Sequence, residues 1–442
     1  MSFLSRLFKK EKKTSESPKI RFGRYSDTYK SAEQYEAWDK ALVAFEDERY
    51  LDSYQHFFEY LRDEDEDNVQ FERTTEGISF KIYQGSKMVT GFANQLKFKA
   101  EARIAKAASL DSPTLLAQLV GNNYDLKFSR YALDAEQNIV IVFNTYALDG
   151  SPYKLYHSLK ELATHADKQD DLLLEKYEGL SAIDDSHSLA IADQEKEVKY
   201  DFIQYILTRT LDSIQSSDLD PDQYPGAMAY VYLDVCYKLD YLVHPEGNTM
   251  ETLERVHRLY FSKEKGIDAI ARNKQLHQEF TNILNRPKSS FFNEFYTVRS
   301  TFGITTAVNH DKVAAFIESE LRNMDWYAEN GYEHVALAIP GYIVGYCLFH
   351  FAVPLPDRAF LQLYYEIMNN GYFRRLGYPN LRKAGVFQRR NIKKSIQKIV
   401  ANNKEHFPKL NPATGSLDFS SKTAFAKSYL KMVEGLNMTS ID

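Results

Sequence analysis

Hydrophobic and polar positions change their period several times along this chain. Tyr35, Trp38, Leu42 and Phe45 recur at helical spacing, and so do Leu51, Tyr54, Phe58 and Leu61, which predicts a helical hairpin over residues 32–62. The pair has the pattern of one tetratricopeptide unit, and one such unit cannot bury its own apolar face alone. From Val69 the period becomes two. Val69–Arg73, Ile78–Gln84, Lys87–Ala93 and Gln95–Ala105 predict a meander of short strands, punctuated by Gly77, Gly85 and Gly91. Ser112-Pro113 predicts a helix start, because proline's missing N–H costs nothing in the first turn; Gly121-Asn122 predicts its end after Val120. The runs Tyr124–Asp134 and Asn138–Asp149 alternate apolar and polar residues, and both close on Tyr-Ala-Leu-Asp. With only Ala-Glu-Gln between them they predict a β-hairpin. A long helix follows from Ser151-Pro152, with Leu155, Leu159, Leu162, Leu172 and Leu173 as its apolar positions.

Residues 181–198 are acidic and low in aromatics, the pattern of a linker. From Lys199 onward the spacing is helical almost throughout. Ile203, Leu207, Leu211 and Ile214 share a face, residues 227–243 are apolar on most sides, and breaks are expected at Arg286-Pro287, Pro340 and Pro354. No fixed repeat period emerges. The chain thus divides into a basic flexible arm (1–30), an α+β domain with a leading helical hairpin (31–180), the acidic linker and an α-helical domain (199–442). The fold class is α+β: an antiparallel sheet with packed helices, fused to an irregular all-α domain.

The segment from about Val69 to Glu178 resembles the YbjN family, which is similar in fold to class I type III secretion chaperones. The stretch Asn122–Asp149, NNYDLKFSRYALDAEQNIVIVFNTYALD, and the Leu- and Asp-rich helix after it carry the resemblance. It is one of pattern more than of invariant letters, and it covers about a quarter of the chain. It implies an antiparallel sheet with a helix on one face, no catalytic residues, and the binding of other polypeptides, often as a dimer. The leading hairpin and the long C-terminal region depart from the family, so its activity need not extend to them.

Composition narrows the picture. Of the 442 residues 44% are hydrophobic and 26% charged, with a net charge of −6, ordinary for a globular chain. Cys236 and Cys347 lie in apolar runs far apart, the pattern of buried free thiols in a reducing, cytoplasmic setting. Val335–Pro356 is long enough to raise the question of a membrane span, but Pro340, Gly341, Gly345 and His350 interrupt it, so buried core helices are expected. At the N-terminus, Phe3, Leu4, Leu7 and Phe8 recur beside Arg6, Lys9, Lys10, Lys12 and Lys13. Residues 1–13 suit either a solvated tail or peripheral contact with an anionic membrane.

Motifs for chemistry are sparse, and no cofactor is expected. Gly85-Ser86-Lys87 lacks the upstream glycine of a phosphate-binding loop. The acidic run 63–67 lacks the glycine and the distal carboxylate of a calcium loop, with Asn68 and Thr74 at those positions. His244, His257 and His350 adjoin apolar helices and are expected to be structural. Cys347 and His350 share a helix face and could form a nucleophile–base pair, but their apolar surroundings and the lack of an orienting acid nearby make core packing the expected reading.

One stretch rises above this background. Between Glu366 and Glu405 there is no acidic residue, while Arg374, Arg375, Arg382, Lys383, Arg389, Arg390, Lys393, Lys394, Lys398 and Lys404 are interleaved with Tyr372, Phe373, Tyr378 and Phe387. A helix from Ala384 to about Val400 would align Arg390, Lys394 and Lys398, and each i, i+4 like-charge pair costs roughly 0.2–0.5 kcal/mol. A compensating anion is therefore expected: the chain's own acidic segments 63–67 and 167–197, an acidic protein partner, nucleic acid phosphate or anionic lipid. The reading that follows is a non-enzymatic protein-interaction module, whether adaptor, assembly component or chaperone-like factor. Nucleic-acid binding through 372–404 and an enzyme with its site in the helical domain are the alternatives.

Overall fold

The computed structural model describes residues 20–107, 112–183, 188–216, 218–262 and 268–440. The chain divides into two compact units, one of residues 22–354 and one of residues 355–442 together with 1–21. The basic segment 1–13 lies outside the described residues.

The larger unit opens with two antiparallel helices. A capping box of Ser31 and Gln34 starts α1 (Ala32–Glu46), and α2 (Tyr50–Leu61) follows. The face α1 buries is that of Ala37, Ala41 and Ala44, not that of Tyr35, which is exposed. The small side chains let the two backbones close until the Ser53 hydroxyl donates to the Ala41 carbonyl at 2.8 Å. Trp38 instead joins Phe57, Tyr60, Tyr153 and Tyr156.

The sheet is built from β1 (Val69–Arg73), β2 (Ile78–Gln84), β3 (Lys87–Ala93) and β4 (Lys97–Ala107), then α3 (Pro113–Asp125), β5 (Arg130–Leu133) and β6 (Asn138–Tyr146). Its order is β1-β2-β3-β4-β6-β5, antiparallel throughout. The long helix α4 (Pro152–Lys176) places Leu155, Leu159, Leu162, Ala163 and Ala166 in one core with Phe80, Phe98, Ala102, Ile141 and Phe143. The opposite face carries the register row Lys81, Thr90, Glu101, Val142 and Arg130, a mostly polar row that water can solvate. One outward N–H of the β5 edge is capped, since Asn123 Oδ1 accepts from Tyr131 at 2.6 Å.

The predicted hairpin forms, but its first arm is short. Tyr124 and Asp125 belong to α3, which runs through Gly121 rather than stopping there. The two Tyr-Ala-Leu-Asp copies also diverge: residues 131–133 are strand, whereas 147–149 wind into a 3₁₀ turn ahead of α4. The same letters take different shapes because their packing differs.

Beyond α4, β7 (Leu180–Ala182) pairs with the end of β4, and β8 (Leu189–Ala190) precedes α5 (Asp193–Gln215). The segment 181–198, expected as a linker, thus holds secondary structure inside the larger unit. Next come α6 (Pro225–Val243), α7 (Gly247–Phe261), α8 (Ala269–Leu284), α9 (Lys288–Glu294), β9 (Tyr296–Thr297), β10 (Thr306–Ala307), α10 (His310–Leu321), α11 (Met324–Glu329), α12 (Glu333–His350) and β11 (Phe351–Ala352). Helices α6 and α12 form the centre and are buried along most of their length. α12 continues through Pro340, where a break was expected. The next residue marks a close approach of the two central helices, since a Cβ on Gly341 would stand 2.0 Å from Asp234 Oδ1 of α6. Among the described residues no helix is long and apolar enough to cross a membrane.

Residues 22–29, placed by composition in a solvated arm, form a packed strap. Phe22 stacks on Tyr241, the Gly23 N–H donates to the Tyr241 carbonyl at 2.9 Å, and Arg24 reaches Asp240 and Glu254. Asp27 accepts a hydrogen bond from the Tyr156 hydroxyl, and the Tyr29 hydroxyl donates to the Val353 carbonyl at 2.5 Å.

The smaller unit comprises α13 (Leu355–Met368), α14 (Asn370–Arg375), the two-stranded β12 (Arg382–Lys383) and β13 (Val386–Phe387), α15 (Arg389–Asn403) and α16 (Lys422–Glu434). Phe360, Tyr364, Phe373, Phe387, Ile392, Ile396, Phe425 and Tyr429 are buried in it. The Tyr429 hydroxyl donates to the Phe360 carbonyl at 2.8 Å, which satisfies an otherwise costly buried polar group.

Candidate functional site: a basic helix face

Helix α15 is positioned by its apolar side. Ile392 and Ile396 are buried, and Arg390, Lys394 and Lys398, spaced four apart, are exposed. The β12–β13 hairpin turns through Ala384 (φ 47°) and Gly385 (φ 84°), the doubly positive pattern of a tight hairpin turn. Its end is tied to the start of α15 by the Gln388 N–H donating to the Leu381 carbonyl at 2.9 Å. Lys383, Arg389 and Arg390 are exposed, and Lys393 and Arg382 are half-buried. Arg382 is the exception in kind. Its guanidinium lies 5.3 Å from the Phe387 ring centroid and donates to the Met368 carbonyl at 3.3 Å; burial pulls its pKa below the usual arginine value. It is a structural arginine. Arg374 and Arg375 are exposed on the separate short helix α14.

The first turn of α15 carries Arg389 and Arg390 and no acid, and no side chain caps it. That is the reverse of what a helix dipole favours. Among the described residues, Arg374, Lys383, Arg389, Arg390, Lys393, Lys394 and Lys398 make no ion pair within 4 Å. Arg389 stacks 5.2 Å from the Phe419 centroid. Of the interleaved aromatics, Tyr372, Phe373 and Phe387 are core residues and offer no stacking platform for bases, while Tyr378 is half-buried with its ring edge-on to Phe373.

Among the described residues, several acids of segments 63–67 and 167–197 are engaged within the larger unit. Asp63 accepts the N–H groups of Asp65 and Glu66, and Asp67 pairs with Arg299 at 3.2 Å. Asp167 accepts the Ser86 N–H at 2.8 Å, and Asp170 pairs with Lys87 at 2.7 Å, both side chains 3% exposed. Gly85-Ser86-Lys87 is therefore a two-residue hairpin turn and its flank. Gly85 (φ 57°) leaves room for the Asp167 carboxylate, which would lie 1.7 Å from a Cβ there.

Beside this turn lies a cavity of about 360 Å³, lined among others by Arg24, Glu161, His165, Lys168, His244 and Glu254. Its charges are largely committed to one another. Glu161 accepts three successive N–H groups from Lys127 to Ser129 and is held below the usual glutamate pKa by those bonds and the Ser129 hydroxyl, against the effect of burial. Lys168 pairs with Glu251 and Glu254 at 2.7 and 3.2 Å. Sequence patterns gave no sign of this group, because its members are spread from residue 24 to 304.

Cys347 is fully buried, and His350 stacks on Tyr346 at 5.2 Å. His257 Nδ1 and the Tyr237 hydroxyl share a hydrogen bond of 2.7 Å, and burial, with His350 and Arg24 nearby, lowers the His257 pKa to about 4. These histidines belong to an aromatic cluster with Phe349. Among the described residues no group of three or more His, Cys, Asp or Glu could hold a metal ion.

Compared with known proteins, the chain matches no family model, and no curated protein is significantly similar to it.

Proposed function

We propose that the chain is a non-enzymatic protein-binding module whose smaller unit docks an acidic protein partner on the α15 face. One observation carries this reading. Lys383, Arg389, Arg390, Lys394 and Lys398 are exposed on one continuous segment, without ion pairs among the described residues. A single-signed face of this kind steers and orients an oppositely charged partner. The pattern resemblance of residues 69–178 to a polypeptide-binding family supports the same class of activity. The burial of Tyr372, Phe373 and Phe387 favours a protein over single-stranded nucleic acid.

The test is affinity capture with the native chain and with the fourfold variant Arg389→Glu, Arg390→Glu, Lys394→Glu, Lys398→Glu, followed by titration of the purified captured protein at rising salt. The expected result is an acidic partner whose affinity falls with salt and is lost in the variant. Equal binding by the variant would remove the face from the reading. A salt-dependent shift of labelled RNA or DNA that the variant loses would replace the protein partner with nucleic acid.

A further inference from the structure

The cavity beside the β2–β3 turn holds polar groups that the fold leaves unused. Gln84, at the end of β2, lines it and is only 7% exposed. Its Oε1 accepts the Thr301 and Phe302 N–H groups at 3.2 and 2.9 Å, which fixes the orientation of the amide and leaves Nε2 as its free end. Among the described residues Nε2 donates to nothing, yet it is not sealed off from solvent. A buried amide whose N–H groups go unused is costly unless something else accepts them. Ser300, 9% exposed, also lines the cavity, and its hydroxyl makes no hydrogen bond among the described residues. Thr164 spends its proton on the Lys160 carbonyl at 2.7 Å and keeps the capacity to accept. Met250, Val298 and Ile304 supply apolar surface.

We infer that this cavity binds a small uncharged compound of the carboxamide class, its carbonyl oxygen accepting from Gln84 Nε2. Charge selects the ligand. The carboxylates of Glu161, Asp167, Glu246 and Glu254 line the space against one guanidinium, Arg24, and one ammonium, Lys168. With histidine counted as neutral the lining is net acidic, which repels an anion. A cation fares little better, because these carboxylates are already engaged. Glu161 holds three backbone N–H groups, Asp167 the Ser86 N–H, and Glu254 both Arg24 and Lys168. A cation would compete with those bonds and leave the Gln84 N–H groups unaccepted. A neutral amide disturbs none of them. It brings the oxygen that Gln84 lacks and an N–H that Thr164 Oγ1 or the Ser300 hydroxyl can accept. The volume of about 360 Å³ lies within the range of small-molecule pockets, roughly 300–1,000 Å³. Its walls come from the β2–β3 turn, the strap, α4, α7 and residues 298–304, so a bound ligand ties the sheet of the larger unit to its helices. This site is independent of the basic face on α15.

Benzamide, benzoate and benzylammonium share one shape and differ in charge, so titrating each against the full chain by ligand-observed NMR tests the inference. Benzamide is expected to bind in the millimolar range, and more tightly than either ion. Gln84→Glu keeps an acceptor for the Thr301 and Phe302 N–H groups and puts an oxygen where the free N–H groups stand. It is expected to weaken benzamide about tenfold, the scale of one hydrogen bond lost. Ile304→Trp, at a position 59% exposed, narrows the cavity without entering the core. It is expected to weaken benzamide to a similar degree, and it carries the test should Gln84→Glu fold poorly. No binding of benzamide up to its solubility would overturn the inference. So would tighter binding of either ion, or benzamide binding that both variants leave unchanged.

Discussion

The two compact units treat charge in opposite ways. Residues 22–354 carry a net −20, residues 355–442 a net +9, with 15 Lys and Arg against 6 Asp and Glu. In the larger unit many charges are spent on architecture. Arg24 joins the strap to α6 and α7, Lys168 joins α4 to α7, and the Lys87–Asp170 pair pins the β2–β3 turn to α4. In the smaller unit the cations of α15 meet no carboxylate within ion-pair distance among the described residues. A charged residue acquires a structural or a recognition role from the partner packed against it.

That contrast can be broken experimentally. The largest effect is expected at the buried pair. Lys87→Met leaves Asp170 charged and unpartnered by lysine, and removing one member of a buried ion pair costs about 3–5 kcal/mol. Denaturant unfolding of the variant should show a loss of that order, and the double variant Lys87→Met, Asp170→Leu should recover most of it. Next is Gly341→Ala, which drives a methyl into the Asp234 carboxylate between α6 and α12; overpacking of a filled core costs about 1–3 kcal/mol. A melting temperature equal to wild type would show that Asp234 swings aside freely.

A smaller effect follows from His257. Its folded pKa of about 4 lies below the ordinary histidine value, so the neutral ring is favoured in the fold. The unfolded chain takes up a proton near pH 6.5 and the folded chain only near pH 4, so stability present above about pH 6.5 is lost progressively between those values. His257→Phe, which keeps a ring against Phe349, should flatten unfolding midpoints measured between pH 7 and pH 5. The smallest stability effect belongs to the fourfold reversal on α15. Exposed positions without ion pairs shift stability by about 0.5 kcal/mol or less each, so this variant should melt close to the wild type, with the loss of the Arg389–Phe419 stacking the largest single contribution. A large fall in its melting temperature would mean those side chains hold structure after all.

Much of the fold was legible in the sequence. Period-two alternation marked β1 to β4 and β6 to within a few residues, and Ser-Pro pairs marked the starts of α3 and α4, because these signals are local. The misses came from packing. Tyr35 lies outside the buried face of α1 and Trp38 only flanks it, since two closely packed helices select alanine at their contact. Pro340 did not end α12, because the surrounding helices hold the chain helical. The strap at 22–29 was read as solvated, since nothing in its own letters announces that Asp240 and Glu254 await Arg24. At the candidate site, the basic run was plain from composition, whereas the structural role of Arg382 and the burial of the interleaved aromatics required the fold.

The strap also bears on the order of events during synthesis. Arg24 is among the first residues of the larger unit to be made, and its bidentate partner Asp240 lies 216 positions later. At about 5–20 residues per second, the chain waits roughly 10–40 s between the two. The sheet can assemble from its hairpins in that interval, but the guanidinium and the Phe22 ring remain without their seat until α6 emerges. The N-terminal strap thus stays unseated until α6 has been made, long after its own residues have left the ribosome.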